Sequence, residues 1–223
     1  MPYTRIDVAN QALNLLEAEL ITSFEDDKAE AETIALVYDD VVRACFASNR
    51  WRFATKVAEL SRDRDYKDPI IKYFYAFLVP PECYNIIGLF RITAPPALTP
   101  NGTPPVWPNR PFSDGRPMKD WDRRGNHIFA NHDRLLIEYT TIASEETWPA
   151  LFADYVAYTL AARVCRVLTG SHEIANSLQM EADGGAQAGH HAGLWAQAAN
   201  DDIQQYPNHD VIETYELLAA RFG

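Results

Sequence analysis

The sequence predicts a mainly α protein: a helical bundle with a small antiparallel β-sheet and a long Pro-rich loop inserted into it. Three observations predict it. Apolar residues recur at three- and four-residue steps toward both ends of the chain, each time after residues suited to capping a helix N-terminus. Between those stretches come runs rich in β-branched and aromatic residues, bounded by turn formers. Eight of the fourteen prolines then fall between Ala94 and Asn126, where no regular structure is expected.

Taken in order, Thr4 and Asp7 have capping-box spacing, and Ile6, Ala9, Leu13 and Leu16 share a helical face, so a first helix is expected over Arg5 to Glu17. Ser23 and Asp26 repeat the cap pattern before Ile34, Val37, Tyr38, Val41 and Cys45, which predicts a second, antiparallel helix reaching about Ser48. Ile70 to Val79 and Tyr84 to Ile92 read as strands around the Pro80-Pro81 break. His127 to Ala130 and Leu135 to Tyr139 read as a hairpin across Asn131-His-Asp-Arg. The loop between these pairs is locally basic, with Arg110, Arg116, Lys119, Arg123 and Arg124 against Asp114, Asp120 and Asp122, and it carries Trp107 and Trp121. A structureless loop of this length inside a compact chain is usually functional or disordered, and a partner contact is expected here.

Thr147 to Leu168 is apolar on both faces and is expected to be the central helix of the core, with Thr147 as its cap. Beyond the Ser171 cap, Leu178, Ala182, Gly185, Gly189, Ala192 and Ala196 recur at steps of four and three, a seam of small residues on which another backbone can approach closely. Each glycine costs a helix about 1 kcal/mol, so a break at Gly184-Gly185 is the alternative. Asp210 and Glu213 then precede a short amphipathic segment with Val211, Ile212, Tyr215, Leu218 and Phe222 on its apolar side. The expected organisation is a discontinuous bundle of residues 1–52 and 145–205, a β insertion over 53–144 with the Pro-rich loop 94–126, and a C-terminal docking segment over 206–223.

A chain of 223 residues, 47% hydrophobic, is long enough for a sizeable core, and its formal charge of −11 argues against a general phosphate-binding surface. Cys45, Cys83 and Cys165 lack metal or redox spacing and read as buried thiols of a protein made in a reducing cytoplasm. No signal segment precedes the first helix, and no stretch approaches the roughly 20 apolar residues of a membrane span, so no membrane anchor is expected.

Reactive constellations are weak. His190-His191 are sequence neighbours, about 100° apart on a helix, so they do not share a metal ion, and no cofactor is expected. Glu145-Glu146 beside Trp148 suggest an acid and base for a sugar, but acidic residues ahead of a helix are more simply explained by its dipole. There is no Gly-x-Ser-x-Gly elbow and no phosphate loop. Trp51, Phe53, Tyr73, Tyr75 and Phe77 have the character to stack on bases, although aromatics at a helix-to-strand junction are more often core.

Several stretches in order carry a resemblance. Asn10-Gln-Ala-Leu13, Ile21 to Ala31, Tyr38-Asp39, Trp51-x-Phe53-Ala54, Tyr75-x-x-Leu78-x-Pro80, Gly125 to Tyr139, and Phe152 to Gly170 with its Thr-Gly-Ser exit together resemble the tail tubular protein A family of short-tailed phages. The chain departs from that pattern at Glu17, where members often carry Gly, and in the length of the Pro-rich loop. The resemblance implies a structural virion protein, not an enzyme. It would be a head-to-tail adaptor, expected as a dodecameric homo-oligomer ring between the portal protein and a tail nozzle of the tail tubular protein B kind, assembled in the host bacterial cytoplasm and touching genomic DNA only in transit through its channel. It further implies portal docking through Val211, Ile212, Tyr215, Leu218 and Phe222, and contact with the nozzle or a neighbouring subunit through Trp107, Arg110, Arg116, Trp121, Arg123 and Arg124. The alternative expectation is a tail-associated polysaccharide or peptidoglycan hydrolase.

Overall fold

The computed structural model describes residues 2–66, 72–92, 115–184 and 193–205. It corrects the expectation of a mainly α protein: the described residues are 46% helical and 20% strand, with two antiparallel sheets among them, and the fold is therefore mixed α/β. The difference lies in three short strands whose sequences are too polar to announce themselves. Thr55–Glu59, Arg62–Asp63 and Trp121–Arg124 are strands because neighbouring backbones pair with them, not because their side chains alternate. Contacts divide the chain into a helical unit, Met1–Phe53 with Ala143–Gly223, and a β unit, Ala54–Ile142.

In the helical unit, α1 (Arg5–Asn14) opens with the capping box: Asp7 N donates to Thr4 Oγ1 at 3.2 Å and Thr4 N donates to the Asp7 carboxylate at 2.9 Å. The helix stops three residues short of expectation, and Glu17 turns the chain at φ 52°. Asn10 holds the returning chain with two bonds to the Ile21 backbone, each 2.9 Å. The Ser23/Asp26 cap does not form. Ser23 Oγ instead accepts from Glu25 N and Asp26 accepts from Thr22 N, making a turn, so α2 (Ala29–Ala47) starts later with no side-chain cap.

The apolar stretch after Trp148 forms α3 (Ala150–Leu168), entered through Pro149 with no side-chain cap; Thr147 lies in a preceding 3₁₀ turn and donates to Ser144 O. It packs against α1, α2, α4 (His172–Asp183) and α5 (Leu194–Gln204), which explains why both of its faces are apolar. Phe152 is its keystone, in ring contact with Phe46, Trp51, Phe53, Trp148 and Tyr155.

The β unit holds a three-stranded sheet in the order β1-β7-β4 and a four-stranded sheet in the order β2-β3-β6-β5. In sequence order these are β1 (Thr55–Glu59), β2 (Arg62–Asp63), β3 (Tyr75–Leu78), β4 (Asn85–Arg91), β5 (Trp121–Arg124), β6 (His127–Ala130) and β7 (Leu135–Thr140). The expected β6–β7 hairpin is absent, since β6 pairs β3 and β5 while β7 pairs β1 and β4. Asn131 does not close a turn; its side chain accepts from Phe74 N at 3.1 Å, and the chain crosses from one sheet to the other. Phe77, Ile128 and Ala130 of one sheet and Leu89, Leu135, Ile137 and Tyr139 of the other share a single core. Alternation then puts Ala76 and Phe129 on the opposite face, where Tyr73 covers them.

Charge is divided as unevenly as secondary structure. The helical unit carries eight Lys and Arg against twenty-one Asp and Glu, net −13, whereas the β unit carries twelve against ten, net +2; together these make the −11 of the chain.

Candidate functional site

The residues expected at the portal, Val211, Ile212, Tyr215, Leu218 and Phe222, lie outside the described residues, as do Trp107, Arg110, Gly185, Gly189, Ala192 and the His190-His191 pair. Of the expected nozzle or neighbour surface, Arg116, Trp121, Arg123 and Arg124 are described. They run along or just before β5, which is an edge of its sheet. Trp121 pairs with Ala130 and its half-buried ring packs on the β core, so it is as much a core residue as a surface one. Arg124 lies over the Phe129 ring at 5.1 Å and donates to Asp122 at 2.8 Å, while Arg123 points to solvent. Arg116 joins Arg91, Lys119 and His132 around an open cavity of about 310 Å³.

The seam divides between two helices. Leu178 and Ala182 are buried on α4 and Ala196 is half-buried on α5. What brings these helices together is a glycine contact that the seam did not include: Gly184 ends α4 at φ 83°, and a Cβ on Gly193 would lie 2.6 Å from the Asp183 carbonyl carbon. Only glycine fits there.

Glu145 of the hydrolase alternative has a structural engagement. Its carboxylate accepts from the buried Tyr38 hydroxyl at 3.1 Å and lies 3.8 Å from Arg5, whose guanidinium also pairs with Asp39 and sits over the Tyr38 ring at 4.8 Å. Burial first, and then the Glu145 charge, hold the Tyr38 phenol well above its usual range, so it stays a donor. The aromatic set suggested for stacking does not assemble. Trp51 and Phe53 belong to the α3 core, and Phe77 and Tyr73 to opposite faces of a sheet.

Two polar arrangements had no signal in the sequence. Asp202 is 2% exposed and accepts from Arg52 N at 2.7 Å and Phe53 N at 3.1 Å, fastening α5 to the exit of α2. It is therefore part of the folded helical unit. In the β unit, His127 Nε2 lies 3.1 Å from Asp63, with Tyr66 stacked on the imidazole at 4.1 Å. Asp-Asp at 201–202 reads like any solvated pair, and the Asp63–His127 partners are far apart in sequence, so only the fold joins them.

Cys45 is buried and its thiol is pushed up to about 12 by desolvation, which keeps it unreactive. Among the described residues no group of His, Cys, Asp and Glu has the arrangement of a metal site, and no helix is long and apolar enough to cross a membrane. No protein-family model matches the chain, and no curated protein matches it either.

Proposed function

We propose that this protein is a head-to-tail adaptor of the tail tubular protein A kind, a virion protein that assembles as a ring between portal and tail nozzle. The observation that carries this reading is the division of charge: a compact helical unit of net −13 joined to a β unit of net +2. A wall facing transiting DNA must not hold phosphates, and carboxylates repel them where Lys and Arg would bind. The near-neutral β unit, with its basic β5 edge, is then the part suited to protein contacts. The apolar C-terminal residues Val211, Ile212, Tyr215, Leu218 and Phe222 remain the proposed portal anchor, and the ordered sequence resemblance supports the same assignment.

Electron microscopy of the protein mixed with the portal protein from its own genome tests the reading. An added ring on one portal face is the expected result, and it gives copy number and polarity directly. Bare portals at micromolar concentrations of both proteins would overturn it. A chain lacking residues 210–223 is expected to fold and to lose portal capture; capture at the parent's level removes the C-terminal anchor.

A further inference from the structure

The core of the helical unit uses one stripe of α2, Ala31, Ile34, Tyr38, Val41 and Cys45, and leaves another outside it. On that second stripe Lys28, Glu32, Ala35 and Leu36 lie three and four residues apart, so they are neighbours on the helix surface. The turn over residues 24–27 stands beside the stripe, and between turn and helix lies an open hollow of about 580 Å³. Its apolar lining is Phe24, Ala35 and Leu36, the last 75% exposed, and its acidic lining includes Glu25, Asp27 and Glu32. The whole hollow falls within residues 24–36 of the helical unit.

The carboxylates of Glu25, Asp27 and Glu32 make no hydrogen bond or ion pair among the described residues. The other two charged groups of the lining are engaged. Asp26 accepts from Thr22 N at 2.7 Å, and Lys28 Nζ lies 3.0 Å from Glu19 and donates to Leu20 O at 3.0 Å. An occupant therefore meets three carboxylates that no cation neutralises, set against an apolar wall. Phe24 already takes a cation of the matching kind from its own chain: the Arg5 guanidinium lies 5.2 Å from the ring centroid while it pairs with Asp39.

We infer that this hollow docks a short segment of a partner protein that carries arginine or lysine beside an apolar side chain. Its cations lie against Glu25, Asp27 and Glu32, and its apolar side chain packs on Phe24, Ala35 and Leu36. Charge complementarity sets the register of such a contact, and the apolar centre excludes water. The volume lies within the roughly 300–1,000 Å³ of pockets that enclose a small ligand, so it takes a few side chains and not the face of a second folded chain. Other occupants fit less well. A nucleic acid is repelled by the carboxylates, and among the described residues no group of acids is arranged to hold a metal ion. The chain's own residues 206–223 carry three acidic side chains against one arginine and have the wrong sign. The inference goes beyond the adaptor reading and stands without it, since the hollow is complete within one unit of one chain.

Calorimetric titration of the full-length protein at physiological salt, with short synthetic peptides as probes, makes the test. A peptide of arginine and leucine is expected to bind, a peptide of arginine and serine with the same charge to bind at least about threefold more weakly, and a peptide of glutamate and leucine not to bind. Glu25→Lys with Glu32→Lys is expected to weaken the arginine–leucine peptide by at least about tenfold, and Leu36→Ser by about threefold or more. Glu173→Lys with Glu181→Lys makes the same change of charge on α4 and is expected to leave the affinity within about twofold. All five positions are exposed, so every variant is expected to fold and melt like the parent. A parent that takes up no arginine–leucine peptide at millimolar concentration would overturn the site. Equal weakening by the α4 pair would overturn it by showing attraction to net charge alone, as would a Leu36→Ser chain or an arginine–serine peptide that binds at full strength. Self-association of the parent, seen in sedimentation and abolished by Leu36→Ser while peptide affinity is unchanged, would overturn it too and assign the hollow to a second copy.

Discussion

Glu17 is the one non-glycine residue with a positive φ among the described residues, 52° at the exit of α1. A side chain in the left-handed region costs on the order of 1 kcal/mol unless its surroundings compensate, and the Glu17 side chain makes no hydrogen bond or ion pair among the described residues. Glu17→Gly is therefore expected to stabilise the protein by about 0.5–1 kcal/mol, read as a higher melting temperature; a lower one would mean that the Glu17 side chain does more than its backbone position suggests. Asp63 supplies a pH dependence. The His127 hydrogen bond, with the Asp65 and Tyr66 amides adding to it, holds the Asp63 carboxyl below its usual value in the folded state. A depressed folded value contributes stability above the unfolded carboxylate range, near about 3.9, and loses it as pH falls through the folded value. Asp63→Asn is expected to melt below the parent at neutral pH, with the gap closing in acid. A gap of constant size down to acid pH would assign the effect to packing instead.

At the scale of elements, the glycines at the α4–α5 join matter more than the small residues along it. The Gly193 backbone lies directly against Gly184 and Asp183, and the atoms met by an added methyl group are main-chain atoms that cannot swing aside. Gly193→Ala is expected to cost about 2 kcal/mol or more, whereas Ala196→Gly, at a half-buried position in α5, is expected to cost only the ordinary helix penalty of about 1 kcal/mol. Chemical denaturation of both variants measures the difference, and equal losses would show that the close approach relaxes. The same scale explains why helices were easier to read than strands. The α1 capping box and the two-faced apolar pattern of α3 are local, so residues four apart suffice to announce them. The pairing of β7 with β1 and β4 joins residues more than forty positions away, and the turn formers after β6 serve equally for a hairpin or for a crossing between sheets.

Over the whole molecule, each unit has its own core, one around Phe152 and one around Leu89, Ile128 and Ile137. Phe152→Ala is expected to destabilise by roughly 3–5 kcal/mol and Leu89→Ala by roughly 2–5 kcal/mol. In hydrogen exchange each should lower protection first in its own unit; loss spread evenly over both from either substitution would show a single cooperative core. The sequence by itself determined the helix-rich flanks, the β-rich middle, the α1 cap, the central place of α3 and the total charge, because these depend on composition and on neighbours a few residues apart. It also led to the basic stretch containing Arg116, Arg123 and Arg124, since a charge run is visible without a fold. Only the tertiary structure decided that there are two sheets rather than one, that Trp121 leans into a core, that Asp202 caps a distant turn, and that Arg91, Arg116, Lys119 and His132 meet round one cavity. Those facts depend on pairings between distant segments, whose free energy comes from backbone hydrogen bonds and shared burial, and no local pattern of residues encodes which partner will be found.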